Sequence, residues 1–193
     1  MEYNGNPRAV RTESGFSLLE MLTVIGVMFI LAAFAIFNIN GALPGQEATA
    51  GLNSAAAVFH QGRDMAISQR RYFQLVTNPP TQIGLQRLEL SGGYTALPMV
   101  TLPPPAQFGL IAGIPDTPDG FGTCSNGLCF GGSSILPSWL SDGTFVDGSG
   151  QPLNATVFVC VPGNASTQRA FTILGTTGRI RAYKWTGGNW ILE

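Results

Sequence analysis

The chain has 193 residues, of which 11% are charged and 45% hydrophobic, and its formal net charge is −1. This length allows one domain with a sizeable core plus an attached segment, and the charge balance excludes a general electrostatic affinity for nucleic acid while leaving a local basic patch open. Glycine (25) and proline (13) interrupt the chain every few residues after the first helix, which favours short strands and turns over a helical bundle.

The N-terminal segment predicts a membrane orientation. The first 15 residues are polar and contain Arg8 and Arg11, and the next lysine or arginine is Arg63. Under the positive-inside rule, the N-terminus stays in the cytoplasm and everything after Ile39 lies outside.

An apolar run of 24 residues, Phe16–Ile39, follows, and Glu20 is its only charged residue. As a helix it would be about 36 Å long, enough to cross a hydrocarbon layer of about 30 Å. A secretory signal peptide fits poorly, because the run is too long and the residues NINGALPG after it contain no small-x-small cleavage site; a plain signal anchor stays open. A carboxylate in lipid costs roughly 2–3 kcal/mol, which predicts a functional role for Glu20.

The junction SGFSLLE resembles the processing site of a type IV prepilin. In that family a short basic leader ends in glycine, the peptidase cuts before a phenylalanine, the new amine is N-methylated, and the fifth mature residue is glutamate. The corresponding residues here are Gly15, Phe16 and Glu20. The resemblance implies cleavage between Gly15 and Phe16 and methylation of Phe16.

Physical chemistry explains a glutamate at this place. Cleavage leaves Phe16 with a cationic amine near the edge of the apolar layer, and a carboxylate one helical turn away, on the same or a neighbouring subunit, can pair with it. In a filament core either charge alone would be costly and the pair much less so. We therefore expect Glu20 to set the register of assembly; the alternative is a glutamate that only snorkels to the membrane edge.

The segment after the apolar run predicts an interrupted helix. Pro44 lies between Gly41 and Gly45, so a kink or a loosened helix is expected around 43–45. From Glu47 to about Arg71 apolar residues recur at three- and four-residue steps, which predicts an amphipathic helix lying against a sheet. These residues are Leu52, Ala55, Ala56, Phe59, Ala66 and Ile67.

From Tyr72 onward the sequence predicts strands. RYFQLVTN, TQIGLQRLEL and YTALPMVTL read as short strands, and ATVFVCV (Ala155–Val161), RAFTILG (Arg169–Gly175) and GRIRAYKW (Gly178–Trp185) as regular ones. The Pro/Gly-rich stretch 102–132 between them predicts long surface loops.

The C-terminal third is similar in order and spacing to the globular domain of the GspH/FimT family, the H-type pseudopilins and related minor pilins. The shared elements are an aspartate–glycine turn, a hydrophobic strand, and a strand leading into T-G-R-x-R. They correspond to Asp142–Gly143, Val157–Val161, Phe171–Leu174, and Thr177, Gly178, Arg179 and Arg181.

This resemblance implies an α+β pilin fold: a long N-terminal helix, its first half transmembrane, packed on an antiparallel two-sheet β domain. The implied organisation is a leader (1–15), a membrane or filament-core helix (16–39), a kinked linker with the second half of the helix (40–71) and a globular domain (72–193). The implied partners are prepilin peptidase, other pilins or pseudopilins and an inner-membrane assembly platform. The protein would cross the inner membrane once, with its domain in the periplasm, or outside the cell when assembled in a pilus.

A basic strand near the C-terminus suggests a second function. Arg179 and Arg181 alternate with Tyr183 and Trp185 on one strand face, and Lys184 lies beside them in sequence. Cations interleaved with aromatic rings can contact phosphates and stack on bases. Arg179, Arg181 and Lys184 are therefore a candidate site for extracellular DNA; the alternative is a solvated sheet face with arginines stacked on the rings.

Catalysis, cofactors and metals have little support in the sequence. The single histidine, His60, is expected on the polar side of a helix, and no catalytic or nucleotide-binding motif occurs. Aspartates stand in turn settings without EF-hand spacing. In an oxidising compartment Cys124 and Cys129 are candidates for a small disulfide, while Cys160 is expected to be a buried small hydrophobe.

Two functions follow. We expect a non-enzymatic structural subunit, a minor pilin or pseudopilin that starts or caps a type IV pilus or a type II secretion pseudopilus. The alternative is a filament-tip minor pilin that binds DNA for uptake.

Overall fold

The computed structural model describes residues 15–131 and 136–193, so that the predicted leader lies outside the described residues except for Gly15. The chain divides into two compact units between Gly41 and Ala42. Within the described ranges it forms one α-helix, α1 (Leu18–Gln69), and twelve strands. The strands are β1 (Phe73–Asn78), β2 (Gln82–Leu88), β3 (Tyr94–Ala96), β4 (Val100–Thr101), β5 (Gln107–Phe108), β6 (Leu128–Phe130), β7 (Ser138–Trp139), β8 (Phe145–Val146), β9 (Ala155–Val161), β10 (Asn164–Leu174), β11 (Arg179–Trp185) and β12 (Trp190–Leu192).

Local sequence signals define the ends of α1. Ser17 caps the N-terminus, because its Oγ accepts a hydrogen bond of 3.1 Å from the backbone N–H of Glu20. At the C-terminus Arg70 adopts a left-handed conformation with φ of 52°, a common way to end a helix. The helix continues through Pro44; the expected kink at this proline stays a prediction.

The strands form two antiparallel sheets. The first has the order β3-β2-β1-β7-β8, and β4 also pairs with β2, beyond the end of β3. The second has the order β12-β11-β10-β9-β5, and β6 pairs with the same strand β9 as β5 does. The predicted α+β class, with a long helix and an antiparallel two-sheet domain, is confirmed.

The core lies where the second half of α1 meets both sheets. Phe59 is fully buried, and its ring centroid lies 5.9 Å from that of Phe145 in the first sheet and 5.1 Å from that of Phe171 in the second. Burying one such aromatic side chain contributes roughly 1.5–3 kcal/mol. The amphipathic face predicted from the sequence is buried at Leu52, Ala55, Phe59 and Ala66.

Two features of the fold correct the sequence-based expectations. Ile67 is expected on the buried helix face but is 43% exposed, because it lies in the last turn of the helix, which ends at Gln69. The stretch YTALPMVTL was expected to be one strand, but it forms β3 and β4 with Pro98 between them. Proline cannot donate to a ladder, so the strand breaks there.

A long loop, residues 109–127, covers the outer face of the second sheet; we call it the cover loop. Its two ends meet at β9, where Gly109 N–H donates to the carbonyl of Phe158, and Phe158 N–H donates to that of Gly127. A Cβ atom at Gly127 would lie 2.2 Å from the Gly109 nitrogen, so this approach requires glycine. Beneath the loop, Phe158 and Tyr183 belong to a second, smaller core cluster.

Candidate functional site

The N-terminal residues singled out by the sequence lie at the start of α1. Gly15 is in non-helical chain, where an added Cβ atom would have no neighbour within 4 Å beyond the adjacent residues, and Phe16 is 77% exposed. Glu20 lies in the first turn, where a carboxylate also interacts favourably with the helix dipole. The structure therefore adds a local explanation for Glu20: Ser17 and Glu20 form the S-x-x-E pattern of a capping box.

The first part of α1 is apolar on all sides. The 18 residues Leu18–Ala35 have a mean hydropathy of 2.4, and none of them is buried. By length and composition this stretch is sufficient to cross a membrane. Exposed apolar surface of this extent calls for a lipid or protein environment.

The Asp142–Gly143 turn and the T-G-R turn at 177–179 lie against each other. Arg63 of α1 donates from Nε to the carbonyl of Gly143 at 3.3 Å and from Nη2 to that of Thr177 at 3.2 Å. Gly178 has a φ of 63°, and a Cβ atom there would lie 2.4 Å from the Gly143 oxygen and 2.8 Å from the Trp139 ring. The D-G and T-G-R elements thus form one packed junction between the helix and the ends of both sheets.

Arg179 and Arg181 lie on the same face of β11 and border one small cavity together with Asp119 of the cover loop. Arg181 Nη1 donates to Asp119 Oδ1 at 2.8 Å, forming an ion pair. Tyr183, on the same face, is only 4% exposed and donates its hydroxyl to Asp119 Oδ2 at 2.9 Å. One of the two arginines predicted to contact DNA is therefore committed to a carboxylate of its own domain.

Asp119 collects a third donor, the hydroxyl of Thr172 at 2.5 Å. Burial of this carboxyl by itself raises its pKa. The hydrogen bonds from Thr172, Tyr183 and Arg181, together with the arginine charge, outweigh burial and lower the pKa below its ordinary value. Asp119 therefore stays ionised and fastens the cover loop to β10 and β11.

Lys184 does not join this arrangement. Successive side chains of a strand alternate between faces, and Lys184 points to the opposite face of β11 from Arg181. There it lies opposite Arg169 of β10 and borders a groove with the residues 45–53 of α1. The three cations of the candidate DNA site are therefore divided between two faces of the sheet.

The cysteines occupy two different environments. Cys124 and Cys129 form a disulfide at the end of the cover loop. Cys160 is a buried free thiol, and burial raises its pKa. A thiol in this state is unreactive.

The remaining polar candidates have local structural roles. His60 is exposed on α1. Asp142 accepts from the N–H and hydroxyl of Thr144, and Asp147 accepts from the N–H groups of Ser149 and Gln151, as turn aspartates do. Among the described residues, no three His, Cys, Asp or Glu side chains come together in a way that could hold a metal ion.

Sequence reasoning missed three contributors to these sites. Arg63 and Asp119 act on residues 53 to 114 positions away in the chain, and no local pattern signals such contacts. The sequence places Arg169 only at the start of a predicted strand. The alternation of side chains along β11 was a usable signal that Lys184 and Arg181 face opposite ways.

Comparisons with known proteins gave matches only among solved structures; no family model and no curated protein matches the chain. The type IV minor pilin FimU of Pseudomonas aeruginosa is 16% identical, with 70% of this chain and 87% of that chain covered and a TM-score of 0.48; a second crystal form gives 69%, 90% and 0.46. The minor pseudopilin EpsH from the Type 2 Secretion System of Vibrio cholerae is also 16% identical, covering 74% of this chain and 99% of that chain with a TM-score of 0.48.

Proposed function

We propose that this chain is a minor pilin or pseudopilin, a structural subunit that starts or caps a type IV pilus or a type II secretion pseudopilus. In this proposal a prepilin peptidase cuts between Gly15 and Phe16, the new amine of Phe16 is methylated, and other pilins and an inner-membrane assembly platform are the partners. The N-terminus is cytoplasmic, and the β domain is periplasmic, or extracellular in a pilus.

One observation carries the proposal: the residues G-F-S-L-L-E stand at the start of an apolar helix with no buried residue in Leu18–Ala35. A membrane anchor alone needs the apolar residues, and a carboxylate in its first turn favours the helix end but costs roughly 2–3 kcal/mol in lipid. A filament subunit gains from it, because Glu20 can neutralise an N-terminal amine in a core without water.

Mass spectrometry of the protein extracted from membranes tests the processing step. We expect a mature chain that begins at Phe16 and is heavier by one methyl group. A Gly15→Ala variant, which changes the residue before the cut, is expected to accumulate as the uncleaved chain. A wild-type N-terminus at any other residue would refute the prepilin assignment.

Two substitutions at Glu20 separate pairing from helix capping. Glu20→Gln keeps a side chain that can serve in the capping box but removes the charge, while Glu20→Ala removes both. If the charge pairs with an amine, both variants should insert and be cleaved normally but be depleted from sheared filaments. Depletion of the alanine variant alone would assign Glu20 to capping and contradict the pairing role.

The DNA-binding alternative has less support from the geometry. Arg179 is exposed on the outer face of β11, but Arg181 is paired with Asp119, and Lys184 lies on the other side. A phosphate would have to compete with a carboxylate that three side chains already hold. We therefore assign this face to the attachment of the cover loop.

A further inference from the structure

Two cations lie directly opposite each other on the helix-facing side of the second sheet. Arg169 of β10 and Lys184 of β11 are register partners in an antiparallel pair. Like charges in this position repel each other and destabilise the sheet. This arrangement calls for a source of negative charge nearby.

The chain itself supplies little of that charge. Arg169 is 3% exposed, and its guanidinium donates from Nε to Thr49 Oγ1 at 3.2 Å and from Nη1 to two backbone carbonyls at 3.1 Å. Glu193 Oε1 lies 3.9 Å from Nε, within ion-pair distance but beyond hydrogen-bond distance. Among the described residues, Lys184 has no acidic side chain within ion-pair distance.

Both cations border a groove of about 480 Å³ between α1 and the sheet. Gln46, Thr49 and Asn53 border it from the helix, and none of the bordering described residues is acidic. Gly45 lies beside Nη2 of the Arg169 guanidinium, since a Cβ atom there would be in van der Waals contact with Nη2 at 3.7 Å. Burial also lowers the pKa of Arg169, and the charge of Glu193 only partly opposes this effect.

We propose that the groove between Arg169 and Lys184 binds a phosphate group. A guanidinium edge and an ammonium on neighbouring strands, with amide donors from the facing helix, match the several acceptor oxygens of phosphate. The phosphate comes either from the headgroup of an anionic lipid or from free phosphate. This site lies wholly in the unit Ala42–Glu193 and does not depend on the filament role proposed above.

Calorimetric titration with inorganic phosphate tests the site. The full chain is placed in phosphatidylcholine nanodiscs, and ionic strength is held constant with chloride. Lys184→Gln should weaken phosphate binding about tenfold, because one charge-assisted hydrogen bond is lost. Lys184→Arg keeps the positive charge and should bind phosphate as the wild type does. Arg179→Gln, on the opposite face of the same strand, is the matched control and should bind as the wild type does.

A second titration in phosphatidylglycerol nanodiscs identifies the source. If the lipid headgroup fills the groove, the wild type no longer takes up added phosphate there, while binding equal to that in phosphatidylcholine identifies free phosphate as the ligand. Phosphate binding by Lys184→Gln equal to that of the folded wild type, or no binding by the wild type in either disc, would overturn the proposal.

Discussion

Removing the carboxylate of Asp119 should release the cover loop and destabilise the β domain. Asp119→Ala leaves the hydroxyls of Thr172 and Tyr183, 1% and 4% exposed, without the acceptor they now have. A buried donor left without a partner costs about 1–3 kcal/mol; at about 1–2 kcal/mol for each of these two hydroxyls, we expect a loss of about 2–4 kcal/mol in the free energy of unfolding. Asp119→Asn keeps one acceptor oxygen and should cost about half as much.

The matched control is Arg181→Gln, which removes the ion pair with Asp119 Oδ1 but leaves the hydrogen bonds from Thr172 and Tyr183 to Asp119 in place. The Arg181 side chain is 42% exposed, so solvent screens its ion pair with Asp119 and this variant should be destabilised much less than the alanine variant. Urea unfolding of the compact unit Ala42–Glu193, followed by circular dichroism, measures all three variants. At an m-value of about 2 kcal/mol/M, the alanine variant should unfold at roughly 1–2 M less urea.

The pH dependence of this difference is fixed by the sign of the pKa shift. The pKa of Asp119 is lower in the folded state than its ordinary value, which is about 3.9 in an unfolded chain. The stabilisation is therefore complete above about pH 4 and is lost as the pH falls through the folded pKa. The wild type and Asp119→Asn should converge in stability at low pH. An alanine variant as stable as Arg181→Gln, or a wild-type advantage unchanged at pH 3, would refute this role of Asp119.

Two further predictions concern the T-G-R element. Gly178→Ala should destabilise the domain by more than 2 kcal/mol, because a left-handed backbone costs an L-residue about 1–2 kcal/mol and the new Cβ atom would also lie 2.4 Å from the Gly143 oxygen. The control is Gly187→Ala in the same urea assay. Gly187 has a φ of 97°, and a Cβ atom there would have no neighbour within 4 Å, so this variant measures the backbone cost alone. In DNA titrations at several salt concentrations, the double change Arg179→Ala and Arg181→Ala should leave the slope of log K against log salt unchanged, whereas a slope flatter by about two would show that both arginines contact phosphate.

The sequence predicts the long elements of this fold and few of the short ones. The β9–β11 meander could be predicted because continuous or alternating apolar residues over seven or more positions identify a strand and its turns. Strands of two or three residues, such as β7 and β8, carry no such period and exist only because neighbouring strands and Phe59 position them. The Asp119 network could not be predicted from local sequence patterns, because the residues that donate to Asp119 lie 53 to 64 positions away in the chain.

The cover loop forms the outer surface of the β domain but is not part of the backbone ladder between β10 and β11. β10 and β11 pair through their own backbones. The loop is held by side chains, by the close backbone approach of Gly109 and Gly127, and by a local disulfide. A segment of different length between β5 and β6 would leave that ladder intact if it also supplied an acceptor for Thr172 and Tyr183. Without such a segment, Phe158 and Tyr183 would form an exposed hydrophobic patch. The cover loop therefore determines the outer surface of the second sheet, and its presence keeps Phe158 and Tyr183 away from water.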